Sequence, residues 1–317
     1  MSKPSKRARR RLAATALGVG AALAFAELAY RVVRAPDLGP TTHPAYVVRD
    51  PDLGWAYSPG ARRRHRSEEF DVEVRIHSRG FRGEEWDLES DASPRVLILG
   101  DSFAFGWGVE EHETFSAHLA AEHEDWLVCN AAISGFGTDQ ELLVLRRLAS
   151  KVRPDIVVCV FCTNDVYENA TAVSYGKPKP RFLLSEGTLG PLEAPAELSF
   201  LARHSQLWRA IAKMRWERAH LRRKVSPEDE WRLTLALLEA MKASAGEAPL
   251  LIVSEGAAAG DRLAALARRR AGIRHLDLDR VPGESAVEHF AVDGHWTAAG
   301  HALVGRALSA RLDEWVP

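Results

Sequence analysis

Arg95-Val-Leu-Ile-Leu-Gly-Asp-Ser-Phe-Ala-Phe-Gly106 is the stretch that decides the fold. Val96 to Leu99 form a short apolar run of mostly branched side chains, with Pro94 in front of it, and this pattern predicts a buried strand. Gly100 ends the run, and Ser102 follows where the chain leaves the strand. In an open α/β sheet, ligands bind outside the carboxyl ends of the strands, so a serine there is placed to meet a substrate. Gly-Asp-Ser is also a string that turns contain by chance, and serine is a common helix N-cap. Its meaning depends on whether the chain supplies a base, an orienting acid and oxyanion donors.

Outward from this strand the pattern alternates. Strands are expected at Val96–Leu99, Leu127–Asn130, Ile156–Phe161, Leu250–Ser254 and Ile273–Leu278. Helices are expected at Thr114–His123, Asp139–Lys151, Pro227–Ser244, Asp261–Ala271 and Thr297–Trp315. Alternation of this kind predicts an α/β fold, with a parallel sheet, helices on both faces and right-handed crossovers. Residues 167–224 interrupt it. Their first part, through Gly176-Lys-Pro-Lys-Pro180, cannot build a regular βα unit and is expected to fold over the site as a lid or substrate loop. Leu201–Lys224 then carries eight Lys and Arg against one acid, with Leu207, Trp208, Ile211 and Trp216 interleaved. A solvated helix packing one apolar edge is the plainer reading, and a helix lying on anionic headgroups is the sharper one.

The N-terminal part has its own logic. Residues 1–11 form a basic tail without an acid, and the largely apolar run 12–30 has nearly the length that spans a bilayer. Glu27 can pair with Arg31 one turn on, at the membrane interface. The basic tail should stay in the cytoplasm, which sends the remainder outward. An uncleaved signal anchor is the favoured reading, and a cleaved signal peptide ending at Ala24-Phe-Ala26 is the alternative. Residues 31–93 then read as a linker and β-rich extension that spaces the catalytic body, 94–317, from the membrane; Phe70–Ile76 alternates as a strand with one wet face.

Composition excludes some classes. Hydrophobic residues at 46% and charged residues at 27% fit a globular chain. The 42 Lys and Arg nearly balance 43 Asp and Glu, which gives no electrostatic case for nucleic acid. Cys129, Cys159 and Cys162 are odd in number and lack metal-ligand spacing, so no disulfide framework is expected.

Three further stretches can carry chemistry: Asn130-Ala-Ala-Ile-Ser-Gly135, Cys162-Thr-Asn164-Asp165 and Asp293-Gly-His295-Trp296. Ser102 is a poor nucleophile unless a base removes its proton, and His295 can do so if a carboxylate fixes its tautomer. Asp293 lies two residues earlier, on the same side of an extended or turning segment, and Gly294 allows the bend. The backbone N–H groups of Ser102 and Gly135 and the side-chain amide of Asn164 can hold an oxyanion from the ends of the first three strands. His289, Asp293, His295 and His301 show no recognised zinc spacing, so neither a metal nor a cofactor is expected. Asp101 and Asp165 read as structural partners of the loops.

In these residues the sequence resembles the SGNH, or GDSL-type, hydrolases. Gly100-Asp-Ser102 looks like the nucleophile block, Ser134-Gly135 the glycine block, Asn164-Asp165 the asparagine block and Asp293-Gly-His295 the acid–base block, in order over about residues 95–316. The resemblance implies a flavodoxin-like three-layer α/β/α sandwich with a parallel five-stranded sheet, and ester or acyl-transfer chemistry on lipids, carbohydrates or small esters. Two departures stand out. Cys162 occupies the usual glycine of the asparagine block, and Asp-x-His-Trp is shorter than the usual Asp-x-x-His and resembles the alginate O-acetyltransferase-like branch. The α/β-hydrolase elbow does not fit, because Gly-x-Ser-x-Gly is broken at Ala104. The expectation is therefore a membrane-anchored extracytoplasmic serine esterase with Ser102, His295 and Asp293 as its triad. An O-acyltransferase acting on an envelope glycan is the alternative, and a non-catalytic envelope scaffold the third reading.

Overall fold

Val96, Leu97, Ile98 and Leu99 are wholly buried, as befits a central parallel strand covered on both faces. The structure is a computed structural model that describes residues 6–34, 46–185, 187–197, 200–220, 226–281 and 286–315. The expected tail residues 1–5, linker residues 35–45 and insertion residues 186, 198–199 and 221–224 lie outside the described residues.

Helix α1 (Lys6–Arg34) comes first, followed by two antiparallel hairpins, β1 (Val47–Asp50) with β2 (Gly54–Tyr57) and β3 (Arg62–Arg66) with β4 (Asp71–Arg75). The α/β body then runs β5 (Arg95–Gly100), α2 (Ser102–Phe105), α3 (Phe115–Glu122), β6 (Leu127–Asn130), α4 (Thr138–Val152), β7 (Ile156–Phe161) and α5 (Asp165–Glu168). The insertion adds hairpins β8 (Val173–Ser174) with β9 (Lys177–Pro178) and β10 (Arg181–Ser185) with β11 (Thr188–Glu193), then α6 (Phe200–His204) and α7 (Gln206–His220). The body resumes with α8 (Pro227–Ser244), β12 (Leu250–Ser254), α9 (Ala257–Arg269), β13 (Ile273–Asp277) and α10 (Ala298–Asp313).

The five-stranded sheet has the order β13-β12-β7-β5-β6, and neighbouring strands in it run parallel. Counted along the sheet this is the flavodoxin-like order 2-1-3-4-5, whose ligand crevice lies where the first and third strands diverge. That is the end of β5, where Ser102 stands. Four of the expected helix and strand ranges, Leu127–Asn130, Ile156–Phe161, Leu250–Ser254 and Pro227–Ser244, match the observed elements end to end.

The extension departs from the spacer expected of it. Trp55, Tyr57, Val74, Ile76, Phe81 and Trp86 are buried in the same core as the sheet, so residues 46–93 pack onto the body. Arg82 is buried among backbone carbonyls, donating to Phe105 O at 3.2 Å, Val109 O at 2.6 Å and Gly106 O. Helix α1 is longer than the apolar run that predicted it; its stretch Arg10–Val32, 23 residues with mean hydropathy 1.8, is long and apolar enough to cross a membrane.

Candidate active site

The nucleophile position follows from a close approach of backbone. Gly100, at φ +155°, leaves no room for a side chain, because a Cβ there would lie 2.6 Å from the Ala104 Cβ and 3.1 Å from Val160 O. That contact lets α2 turn straight off β5. Asp101, buried, caps the turn by accepting from the Phe103 amide at 2.9 Å, the structural role expected of it. Ser102 is thereby left half-buried at the head of α2.

His295 reaches Ser102 from a loop 193 residues away in sequence. Its Nε2 lies 2.7 Å from the Ser102 Oγ, and its Nδ1 lies 2.5 Å from Asp293 Oδ1. The loop closes on itself: Phe290 N donates to His295 O at 2.8 Å, and Gly294 N to Phe290 O at 3.1 Å. Rings pack the imidazole in place, with Phe103 at 4.8 Å and Trp107 at 5.8 Å between centroids. Burial works to raise the Asp293 pKa, but hydrogen bonds from His295 and Trp107 outweigh it and hold the carboxylate below its usual range. Asp293 is thus kept ionised as the partner of an imidazolium would need to be.

The three expected oxyanion donors sit at the ends of adjacent strands, β6, β5 and β7. Beyond β6 the chain stays bonded to the end of β5, with Ala131 N donating to Ile98 O at 2.8 Å and Ile133 N to Gly100 O at 3.1 Å. This ties the segment leading to Ser134 and Gly135 to the end of β5, the strand that Ser102 follows. Asn164 occupies the N-cap position of α5, one turn ahead of Glu168. Burial, with the Asp101 and Asp165 carboxylates, pushes the Cys162 thiol well up, so it is no competing nucleophile.

His301 is buried and stacked on Phe115, and burial lowers its pKa to about 3. His289 lies 3.1 Å from Glu255, which also accepts from Trp296 Nε1 at 3.0 Å. Trp296 and Phe103 line a cavity of about 200 Å³ with Cys162, Thr163 and Glu255. A larger cavity of about 830 Å³, between β10–β11 and α8, touches none of the site residues.

Sequence reasoning missed the residues that hold these loops. Glu69 accepts from the amides of Val292 and Asp293, Trp107 bonds the Asp293 side chain, and Trp55 and Tyr57 bond the two sides of Ser134. The only signal was the aromatic content of Asp52-Leu-Gly-Trp55 and the alternation of 70–76, neither of which names a partner.

A serine, a histidine and a carboxylate thus stand in hydrogen-bonded series at the switch point of a parallel sheet. The chain belongs to the GDSL-like lipase/acylhydrolase family, whose model matches residues 98–303, and it is an ester-hydrolysing enzyme. The match does not single out the alginate O-acetyltransferase-like branch that Asp293-Gly-His295-Trp296 suggested. Among solved structures, TesA is 16% identical, covering 70% of this chain and 99% of its own, with a TM-score of 0.42. A GDSL-like lipase from Bacteroides thetaiotaomicron is 16% identical over 70% and 89%, with a TM-score of 0.42. The esterase EstA from Pseudoalteromonas sp. is 14% identical over 70% and 98%, with a TM-score of 0.42. No curated protein matches the chain.

Proposed function

We propose that the chain is a membrane-anchored, extracytoplasmic serine esterase that cleaves carboxylic esters through Ser102, His295 and Asp293. The observation that carries this reading is the continuous Ser102–His295–Asp293 series at 2.7 and 2.5 Å. Ser102 Oγ attacks the ester carbonyl while His295 Nε2 takes its proton, and Asp293 stabilises the resulting imidazolium. The Ser102 and Gly135 amides and the Asn164 side chain hold the tetrahedral oxyanion. His295 returns its proton to the leaving alkoxide, and water, activated by the same imidazole, releases the acid from the acyl-enzyme. Steady-state hydrolysis of 4-nitrophenyl acetate tests the assignment. Ser102→Ala and His295→Ala should each lower kcat by at least about 10³-fold, and wild-type turnover in either would reject the triad.

Retention of α1 as an anchor is supported by what its Glu27 touches. The Glu27 carboxylate accepts from Ser205 Oγ at 2.7 Å and from the free amides that open α7, Gln206 N at 2.9 Å and Leu207 N at 3.0 Å. Arg31 bonds Glu27 at 2.8 Å and His204 O at 3.0 Å. Cleavage after Ala26 would cut the chain next to this joint. An exposed Trp208 and Met214 on α7, within a basic segment, suit a helix lying on the outer headgroups. N-terminal sequencing of the membrane fraction should find residues preceding Glu27, and a mature protein beginning at Glu27 would replace the anchor by a signal peptide.

A further inference from the structure

We propose that residues 46–93, which precede the segment shared with the family, are a positioning element of the active site: Trp55 and Tyr57 fix the peptide that carries the Gly135 amide, and Glu69 fixes the loop that carries Asp293. The inference rests on the triad and oxyanion roles given above and adds to them residues from outside the family-matched segment, 98–303.

The first grip acts on a peptide plane. A trans peptide points its C=O and its N–H in opposite directions. Trp55 Nε1 donates to Ser134 O at 3.2 Å, so the Gly135 N–H of the same peptide is aimed away from Trp55. The preceding peptide is also tied, because Ser134 N donates to the Tyr57 hydroxyl at 2.8 Å. Ser134 is therefore bracketed on both sides by one strand, β2. Trp55 is itself immobilised: it is 1% exposed, packs edge-on to Phe136 at 5.2 Å, and carries the Lys177 ammonium 3.9 Å above its ring. An oxyanion donor is effective when its direction is set before charge develops. The indole of Trp55 sets that direction.

The second grip acts on the acid–base loop. Glu69 sits at the tip of the β3–β4 hairpin, where the Ser67 Oγ accepts from the amides of Glu69 at 3.1 Å and Phe70 at 3.3 Å. From there one carboxylate accepts from Val292 N at 3.0 Å and Asp293 N at 2.7 Å. Phe70 packs on Phe290 of the same loop at 5.4 Å. Val292 is 81% exposed, so the loop has little apolar packing of its own on that side. Glu69 thus holds the Asp293 backbone, while Trp107 and His295 hold its carboxylate. Misplacing a catalytic group by about 1 Å can cost about 10²-fold in rate.

The test uses the full chain in detergent with 4-nitrophenyl acetate as substrate. Trp55→Phe keeps the ring and removes the N–H; it should lower kcat about 10-fold at little-changed KM and weaken a boronic acid transition-state analogue by the same factor. Glu69→Ala should lower kcat about 10-fold and broaden or remove the downfield proton signal of the His295–Asp293 hydrogen bond. Glu69→Gln, whose carbonyl can still accept from both amides, should restore most of the rate and the signal. Tyr57→Phe, the mildest change, serves as the folded control if Trp55→Phe loses its near-ultraviolet dichroism, and should lower kcat a few-fold at unchanged KM. Lower melting temperatures combined with wild-type kcat, analogue affinity and proton signal would overturn the proposal and leave the extension a stabiliser of the fold. Ser102→Ala run in parallel keeps the two readings apart. If it retains activity the triad falls; if it is inactive while Trp55→Phe and Glu69→Ala turn over normally, only the positioning role falls.

Discussion

The extension and the insertion both touch segments that carry candidate site residues, yet they hold on to the body in different ways. The extension takes hold of main-chain atoms: the Ser134 peptide groups, the Val292 and Asp293 amides, and, through Arg82, the carbonyls that follow α2. The insertion is fastened through buried side-chain charge. Lys179 is fully buried and bonds Asp139 at 2.5 Å and the Glu168 carbonyl at 3.0 Å. Ser174 donates to the Glu168 carboxylate at 3.1 Å. Above this base the hairpin tip lays Tyr175 against Gly135, with ring carbons 3.0 and 3.1 Å from where a Cβ would stand. If the positioning proposed above holds, grips on the backbone set the geometry of reacting groups, and a charged base with a side-chain roof is suited to set what may enter. The two regions should therefore fail differently when mutated.

The largest expected effect is at the base of the insertion. Lys179→Met leaves Asp139 buried without its cation, and breaking a buried pair from one side costs about 3–5 kcal/mol. Urea unfolding followed by circular dichroism should show a loss of that size, and a midpoint within error of wild type would mean that Asp139 is already neutral. A smaller effect depends on pH. Burial raises the Glu168 pKa to about 7, with Lys179 and Ser174 opposing it. The native state then binds more protons than the unfolded chain between the usual carboxylate value and about pH 7, so stability falls as pH rises through that window. Buried His65, lowered to about 4, acts with the opposite sign, but it cancels when variant and wild type are compared. Glu168→Gln should lose less stability than wild type between about pH 5 and about pH 8; parallel curves would contradict this. Smallest is the roof. Tyr175→Ala should raise KM about 2- to 10-fold, the worth of one aromatic contact, and leave kcat in place. A fall in kcat instead would make Tyr175 a positioning residue like Trp55 and erase the contrast.

The sheet was legible because each strand is an apolar run whose neighbours along the chain are helices with their own period. Ser102, Gly135, Asn164, Asp293 and His295 could be picked out as candidates because each lies just beyond a strand or before a helix, where the α/β architecture exposes residues. What holds them was not. The Glu69–Val292 bond spans 223 residues and the Trp55–Ser134 bond spans 79, and neither partner carries a local pattern that names the other. Arg82 lies in a polar segment with nothing in its neighbours to mark it, although it is buried among carbonyls. The extension read as a spacer for the same reason: short strands rich in Arg, Asp and Gly do not reveal that their alternate side chains belong to the core of the sheet. Cys162, where the family resemblance places glycine, is accommodated half-buried at the end of β7.

The central claim is that Ser102 is the reacting atom's bearer, and a fluorophosphonate probe tests it most directly. Wild-type chain should be labelled covalently, with one phosphonyl adduct on the peptide containing Ser102, while Ser102→Ala should remain unlabelled under the same conditions. Equal labelling of Ser102→Ala and wild type would contradict the account.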